Sequence, residues 1–123
     1  MFDMKRLESQ EDYLERILQL SKKKDVVHSI DIAKDMSFSK PSVSIAMKKL
    51  EENGYIFINK KGDITLTSRG LEIAEKTLEK HLIITKILMS IGVDEKTARE
   101  DACKMEHDIS DITWEAIKSH FAK

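Results

Sequence analysis

At 123 residues, with 41% hydrophobic and 35% charged side chains, the chain can bury one modest core and is neither a disordered tail nor a membrane protein. Its net charge of −1 argues against indiscriminate nucleic-acid binding, no apolar run nears the roughly 20 residues of a bilayer span, and Glu8, Glu11 and Asp12 follow the start too closely for a signal-peptide core. One cysteine, Cys103, excludes an internal disulfide and suits a cytoplasmic location, while four glycines and one proline favour helices over sheets.

A first helix is expected from about Ser9, where Ser9-Gln10-Glu11-Asp12 resembles a capping box and Leu14, Ile17 and Leu18 recur at helical spacing. Lys22-Lys23-Lys24-Asp25 ends it. A short second helix capped by Ser29 turns Ile30, Ala33 and Met36 inward. After Ser37-Phe38-Ser39, a third begins at Lys40-Pro41, because proline costs nothing in a first helical turn. Its stripe is Val43, Ala46, Met47 and Leu50, and Gly54 terminates it.

The period then changes to that of strands. Tyr55-Ile56-Phe57-Ile58-Asn59 and Asp63-Ile64-Thr65-Leu66-Thr67 read as a hairpin with Lys60-Lys61-Gly62 at its tip. Thr67 or Ser68 caps a long helix over about residues 69–90, stopping near Gly92. Asp94 caps another to about Asp108, and Ser110 or Asp111 opens a last one with Trp114, Ile117 and Phe121. The expected fold is mainly α with a small β-hairpin: a winged helix-turn-helix over residues 1–70, then a helical metal-binding and dimerisation region over 71–123.

Charge is unevenly placed. Residues 39–61 hold five lysines against two acids, whereas residues 81–123 hold six bases against eight acids. In the third helix one stripe is buried, leaving Ser39, Lys40, Pro41, Ser42, Ile45, Lys48 and Lys49 for another surface. Small hydroxyls and outward N–H groups at its start suit close approach to bases and phosphates. Lys60 and Lys61 on the wing would reach the flanking backbone of double-stranded DNA. The plainer alternative is that these lysines are ordinary solvated surface.

A second set of residues suits a cation. Asp12 and Glu15 share a helix face, as do Cys103, Glu106 and His107, and His81 lies on the helix between them. This mixture of oxygen, nitrogen and sulfur donors fits Fe(II), Mn(II), Co(II), Ni(II) or Zn(II) better than Mg(II) or Ca(II). Each residue also has an ordinary reading. Asp12 completes a capping box, Glu15 pairs with Arg16 or Lys22, His81 sits at a core edge, and Cys103 is a small buried apolar group.

The chain resembles the DtxR/MntR metalloregulators, the diphtheria-toxin-repressor and manganese-transport-regulator group. The similarity runs through Glu11-Asp12-Tyr13-Leu14-Glu15, Ser39-Lys40-Pro41-Ser42-Val43-Ser44, Leu66-Thr67-Ser68-Arg69-Gly70, Ile91-Gly92-Val93-Asp94-Glu95 and Met105-Glu106-His107. It implies a homodimeric repressor gripping a palindromic operator when divalent metal is bound, manganese or iron foremost, with Asp12, Glu15, His81, Cys103, Glu106 and His107 as ligands.

The chain also departs from that pattern. Asp12 matches the manganese branch and Cys103 the iron branch, while ancillary iron-branch ligands are replaced by Thr85 and Arg99. Ile45 stands where a polar residue is usual, exchanging a hydrogen bond for contact with a thymine methyl. Larger members continue into an SH3-like domain, so only the DNA-binding and dimerisation parts are expected here.

On this reading the metal clips the two parts together, holding paired winged helices near the roughly 34 Å repeat of the major groove. The apolar excess at Leu82, Ile83, Ile84, Ile87, Leu88, Met89 and Ile91 is expected to form a dimer interface, Leu82, Ile83, Ile87, Leu88 and Ile91 foremost. Two rivals are a winged-helix regulator sensing a non-metal ligand and a small metalloenzyme. Against the enzyme stand the absence of an HExxH pattern and of a glycine-rich substrate loop.

Overall fold

Tyr13, Leu14, Ile17 and Leu18 are buried along one side of α1 (Met4–Lys23), as apolar positions three or four apart must be on a 3.6-residue period. The computed structural model describes the backbone of residues 4–121 and the side chains of residues 10–121. α1 begins at Met4, not near Ser9. The residues before Ser9 include Lys5, Arg6, Leu7 and Glu8, all good helix formers, so the helix runs through the serine.

The cap of α2 (Ser29–Met36) is His28, one residue earlier than the sequence suggests. The Asp31 carboxylate accepts the His28 backbone N–H at 2.9 Å, which moves the helix start back. Ile32 and Ala33 carry the buried face, while Ile30 and Met36 are half-buried. Ser37 ends α2 in the left-handed region at φ 59°. Ser39 then caps α3 (Lys40–Glu52), its hydroxyl accepting the Ser42 N–H at 3.3 Å, with Pro41 in the first turn. Val43, Met47 and Leu50 are buried. Gly54, at φ +80°, lets the chain leave α3.

The wing is β1 (Ile56–Ile58) paired antiparallel with β2 (Ile64–Leu66), in the register Ile56↔Leu66, Phe57↔Thr65 and Ile58↔Ile64. Val27 adds a bridge to Ile64, whose N–H donates to the Val27 carbonyl at 2.8 Å. α4 (Ser68–Ser90) starts from a tight junction. The Thr67 hydroxyl donates to the Gly54 carbonyl at 2.7 Å and accepts the Gly70 N–H at 3.2 Å. Gly70 has no room for a side chain, because a Cβ there would stand 1.9 Å from the Tyr55 carbonyl oxygen.

The chain divides into two compact units, one up to Glu75 and one from Lys76 onward. The second holds the rest of α4 with α5 (Glu95–Met105) and α6 (Asp111–Phe121). Asp94 caps α5 by accepting the Thr97 N–H at 3.0 Å, and Ser110 accepts the Thr113 N–H at 3.2 Å. Ile84, Ala98, Ala102 and Trp114 are buried in this unit. Ion pairs Glu79–Lys118 (2.9 Å) and Lys76–Asp111 (3.6 Å) join α4 to α6. The architecture is thus a winged helix followed by a helical region, mainly α with one hairpin.

Candidate metal centre and nucleic-acid interface

In the first unit, α3 presents an outer face without an acid, since residues 39–50 contain none. Ser39, Lys40, Pro41, Ser42, Ile45, Lys48 and Lys49 are all exposed, and Ile45 keeps 62% of its surface open. An apolar side chain left so open on a cationic face suits a duplex, anionic at its phosphates and locally apolar at its thymine methyls. Lys60 and Lys61 are exposed at the wing tip. Their turn is closed by Asn59, whose side-chain oxygen accepts the N–H groups of Lys61 and Asp63, each at 2.9 Å.

Asp12 and Glu15 lie on α1, Asp12 half-buried and Glu15 buried. Gln19 donates to Glu15 at 3.4 Å. Arg16, one of the partners considered for Glu15, instead pairs with Asp35 at 3.0 Å, so a surface ion pair with Arg16 does not account for that carboxylate. Ser9 lies inside α1, so no helix start there calls for a capping box with Asp12.

In the second unit the donors converge. Cys103 Sγ, a Glu106 carboxylate oxygen and a His107 ring nitrogen lie within 4.8 Å of one another. Glu106 Oε1 is 3.3 Å from His107 Nε2, and Oε2 is 3.6 Å from His81 Nδ1. The Glu106 residue is only 2% exposed. Burying a carboxylate with two imidazoles and a thiol costs free energy unless its charge is matched, and this donor set fits a divalent transition ion.

One expectation is corrected here. α5 stops at Met105, so Cys103 is on the helix, Glu106 is its C-cap and His107 lies in the following turn. Glu106 keeps helical dihedrals, φ −60° and ψ −26°, which preserves the shared face despite the helix end. The chain leaves the helix before Ser110, which lies four residues after Glu106 and caps α6. The positions of the ancillary iron-branch ligands are otherwise engaged. Thr85 donates its hydroxyl to the His81 carbonyl at 2.7 Å, and Arg99 pairs with Glu95 at 2.7 Å.

Leu82 is 53% and Ile91 73% exposed, Met89 is exposed, Ile83, Ile87 and Leu88 are half-buried, and Ile84 is buried in its own unit. Ile84 therefore belongs to the core and not to an outer face. Sequence reasoning missed His28, whose ring meets Asp63 of the wing at 2.8 Å. The acid three residues after it, Asp31, is the signal that marks His28 as the cap.

Residues 6–64 match the N-terminal DNA-binding domain described for iron-dependent repressors, and residues 67–123 match the metal-binding and dimerisation domain described for the same family. An uncharacterized HTH-type transcriptional regulator of Methanocaldococcus jannaschii is 40% identical over 118 residues, 94% of each chain. The solved manganese regulator SloR is 31% identical, with a TM-score of 0.80 over 90% of this chain and 52% of its own. ScaR with bound zinc is also 31% identical, with a TM-score of 0.73 over 89% of this chain and 52% of its own. The chain thus spans about half the length of these solved relatives. Among the described residues, no helix is long and apolar enough to cross a membrane.

Proposed function

The chain belongs to the iron-dependent repressor family of transcriptional regulators, and from that premise we propose that it binds a palindromic operator as a homodimer when a divalent transition ion is bound. The observation that carries this reading is the buried Glu106 carboxylate with His81, Cys103 and His107 around it. Residues 1–70 act as the DNA-binding part, and residues 71–123 as the metal-binding and dimerisation part. Ser39, Lys40, Pro41, Ser42, Ile45, Lys48 and Lys49 of α3 face the groove, and Lys60 and Lys61 face the flanking phosphates.

Asp12 and Glu15 from α1 join His81, Cys103, Glu106 and His107 as the ligand set. A bound Mn(II) or Fe(II) ion supplies the positive charge that offsets repulsion among the three carboxylates. Asp12 and Glu15 thereby tie the winged helix to the helical part, and the range of separations open to a pair of recognition helices narrows. Only a population shift is required, and a tenfold change in affinity corresponds to about 1.4 kcal/mol. Leu82, Ile83, Ile87, Leu88 and Ile91 pack against the second copy.

Gel-shift titrations in chelator and in excess Mn(II), Fe(II), Co(II), Ni(II) or Zn(II) test this. At least one ion should tighten binding to a selected operator duplex by about tenfold or more. Equal affinity in chelator and in every metal sinks the proposal.

A further inference from the structure

The position of the wing lysines is set by an anchor outside the hairpin. Asn59 Nδ2 donates to Asp63 Oδ2 at 3.0 Å, closing the turn that displays Lys60 and Lys61. The other carboxylate oxygen, Asp63 Oδ1, meets His28 Nε2 at 2.8 Å. Asp63 is therefore shared between the turn and a residue at the start of α2. The His28 ring also lies beside Gly62, where an added Cβ would stand 3.9 Å from its Cδ2.

Backbone groups hold the start of α2 alongside the ring, the Asp31 N–H donating to the His28 carbonyl at 3.0 Å. The cap bond uses the His28 backbone N–H, and the neighbouring bridge uses the Val27 carbonyl. Other charged groups around the ring are accounted for: Asp31 Oδ2 is 3.9 Å from Nδ1, Lys24 holds Asp31 Oδ1, and Lys61 lies beside Asp63. The ring thus stands between Asp31 on its own helix and, at the shorter distance, the carboxylate that organises the wing tip.

We infer that His28 is a positioning residue for DNA binding, its ring tying the wing tip to α2 so that Lys60 and Lys61 meet phosphates in register with α3. This rests on the proposal that the wing touches DNA. The physical gain is preorganisation: a tethered hairpin loses less conformational freedom on binding than one free to swing. Removing the ring leaves the lysines in place and makes their contacts intermittent.

The test is the salt dependence of binding by the full chain, in excess Mn(II), to a duplex that the unsubstituted protein selects from a random-sequence pool. Each phosphate contact contributes about 0.9 to the slope of log affinity against log salt. Lys60→Ala with Lys61→Ala should lower the slope by about 1.8. His28→Ala should lower it by about 1 and weaken binding several-fold. On the lysine-free background His28→Ala should change neither quantity. His28→Gln keeps an N–H donor and should restore most of the slope, whereas His28→Phe keeps ring bulk without a donor and should behave as alanine. The phenylalanine variant carries the test if alanine lowers the thermal midpoint.

A slope unmoved by the lysine pair overturns the wing contact and this inference with it, leaving the metal switch standing. A slope lowered by the lysine pair but unmoved in both the alanine and phenylalanine variants overturns the inference alone. So does a His28 effect that adds in full to that of the lysines.

Discussion

The two units differ in what lies at their centres, although each buries one carboxylate and leaves several large apolar side chains exposed. In the winged helix, Leu14, Ile17, Val27, Ile32, Val43, Met47, Leu50, Ile56 and Ile64 fill the interior, and helix starts are satisfied locally by Asp31, Ser39 and Thr67. In the helical unit, a carboxylate and two imidazoles come together inside while Leu82, Met89, Ile91, Ile112 and Phe121 stand in the open. Buried charge and exposed apolar surface are both unfavourable in isolation. On the proposed function, the cation and the second copy both act chiefly through the second unit. A ligand bound only by the folded form stabilises it in proportion to the logarithm of its concentration.

The largest way to break this comparison is Gly70→Ala. The added methyl meets main chain, which cannot rotate away, and should destabilise the winged helix by about 3 kcal/mol. Chemical denaturation would show it, with metal affinity of the helical unit the contrast to check. Glu106→Gln should do the converse. Metal affinity should fall about 100-fold by calorimetric titration, a loss of about 2.7 kcal/mol, with the midpoint of the winged helix unchanged. Leu82→Lys with Ile91→Lys should raise the dimer dissociation constant about tenfold or more by sedimentation, because desolvated apolar area of this kind contributes about 25 cal/mol per Å².

The smallest effect concerns acid. Lys24's ammonium beside Asp31, helped by the His28 N–H, holds that carboxyl below the usual carboxylate range. A depressed folded-state value means the contribution is present at neutral pH and is lost as pH falls through that value. Asp31→Asn should therefore flatten the acid limb of a thermal-midpoint against pH curve, leaving the neutral plateau slightly lower.

Much of this architecture is legible from periodicity and punctuation. The Ser39 cap with Pro41, the Gly54 terminator and the lysine-tipped hairpin leave little freedom for the winged helix, and Asp94 and Ser110 mark their helix starts openly. The missed boundaries share a cause: a local motif competes with its surroundings. Ser9 looks like a cap but sits among good helix formers, and Ser29 looks like a cap but loses to His28, whose N–H finds Asp31. The Cys103, Glu106 and His107 spacing is visible, yet the end of α5 between them is not, because Glu106 keeps helical dihedrals beyond the last helical residue. The His28–Asp63 contact joins residues 35 apart, and no local pattern encodes it.

Cys103 is the sole cysteine, and its sulfur lies within 4.8 Å of donor atoms on Glu106 and His107. The protein therefore carries an intrinsic reporter. Its rate of alkylation by a small uncharged reagent, followed by mass spectrometry, should slow as each metal is titrated in, reading occupancy without a dye, a tag or a single change of sequence.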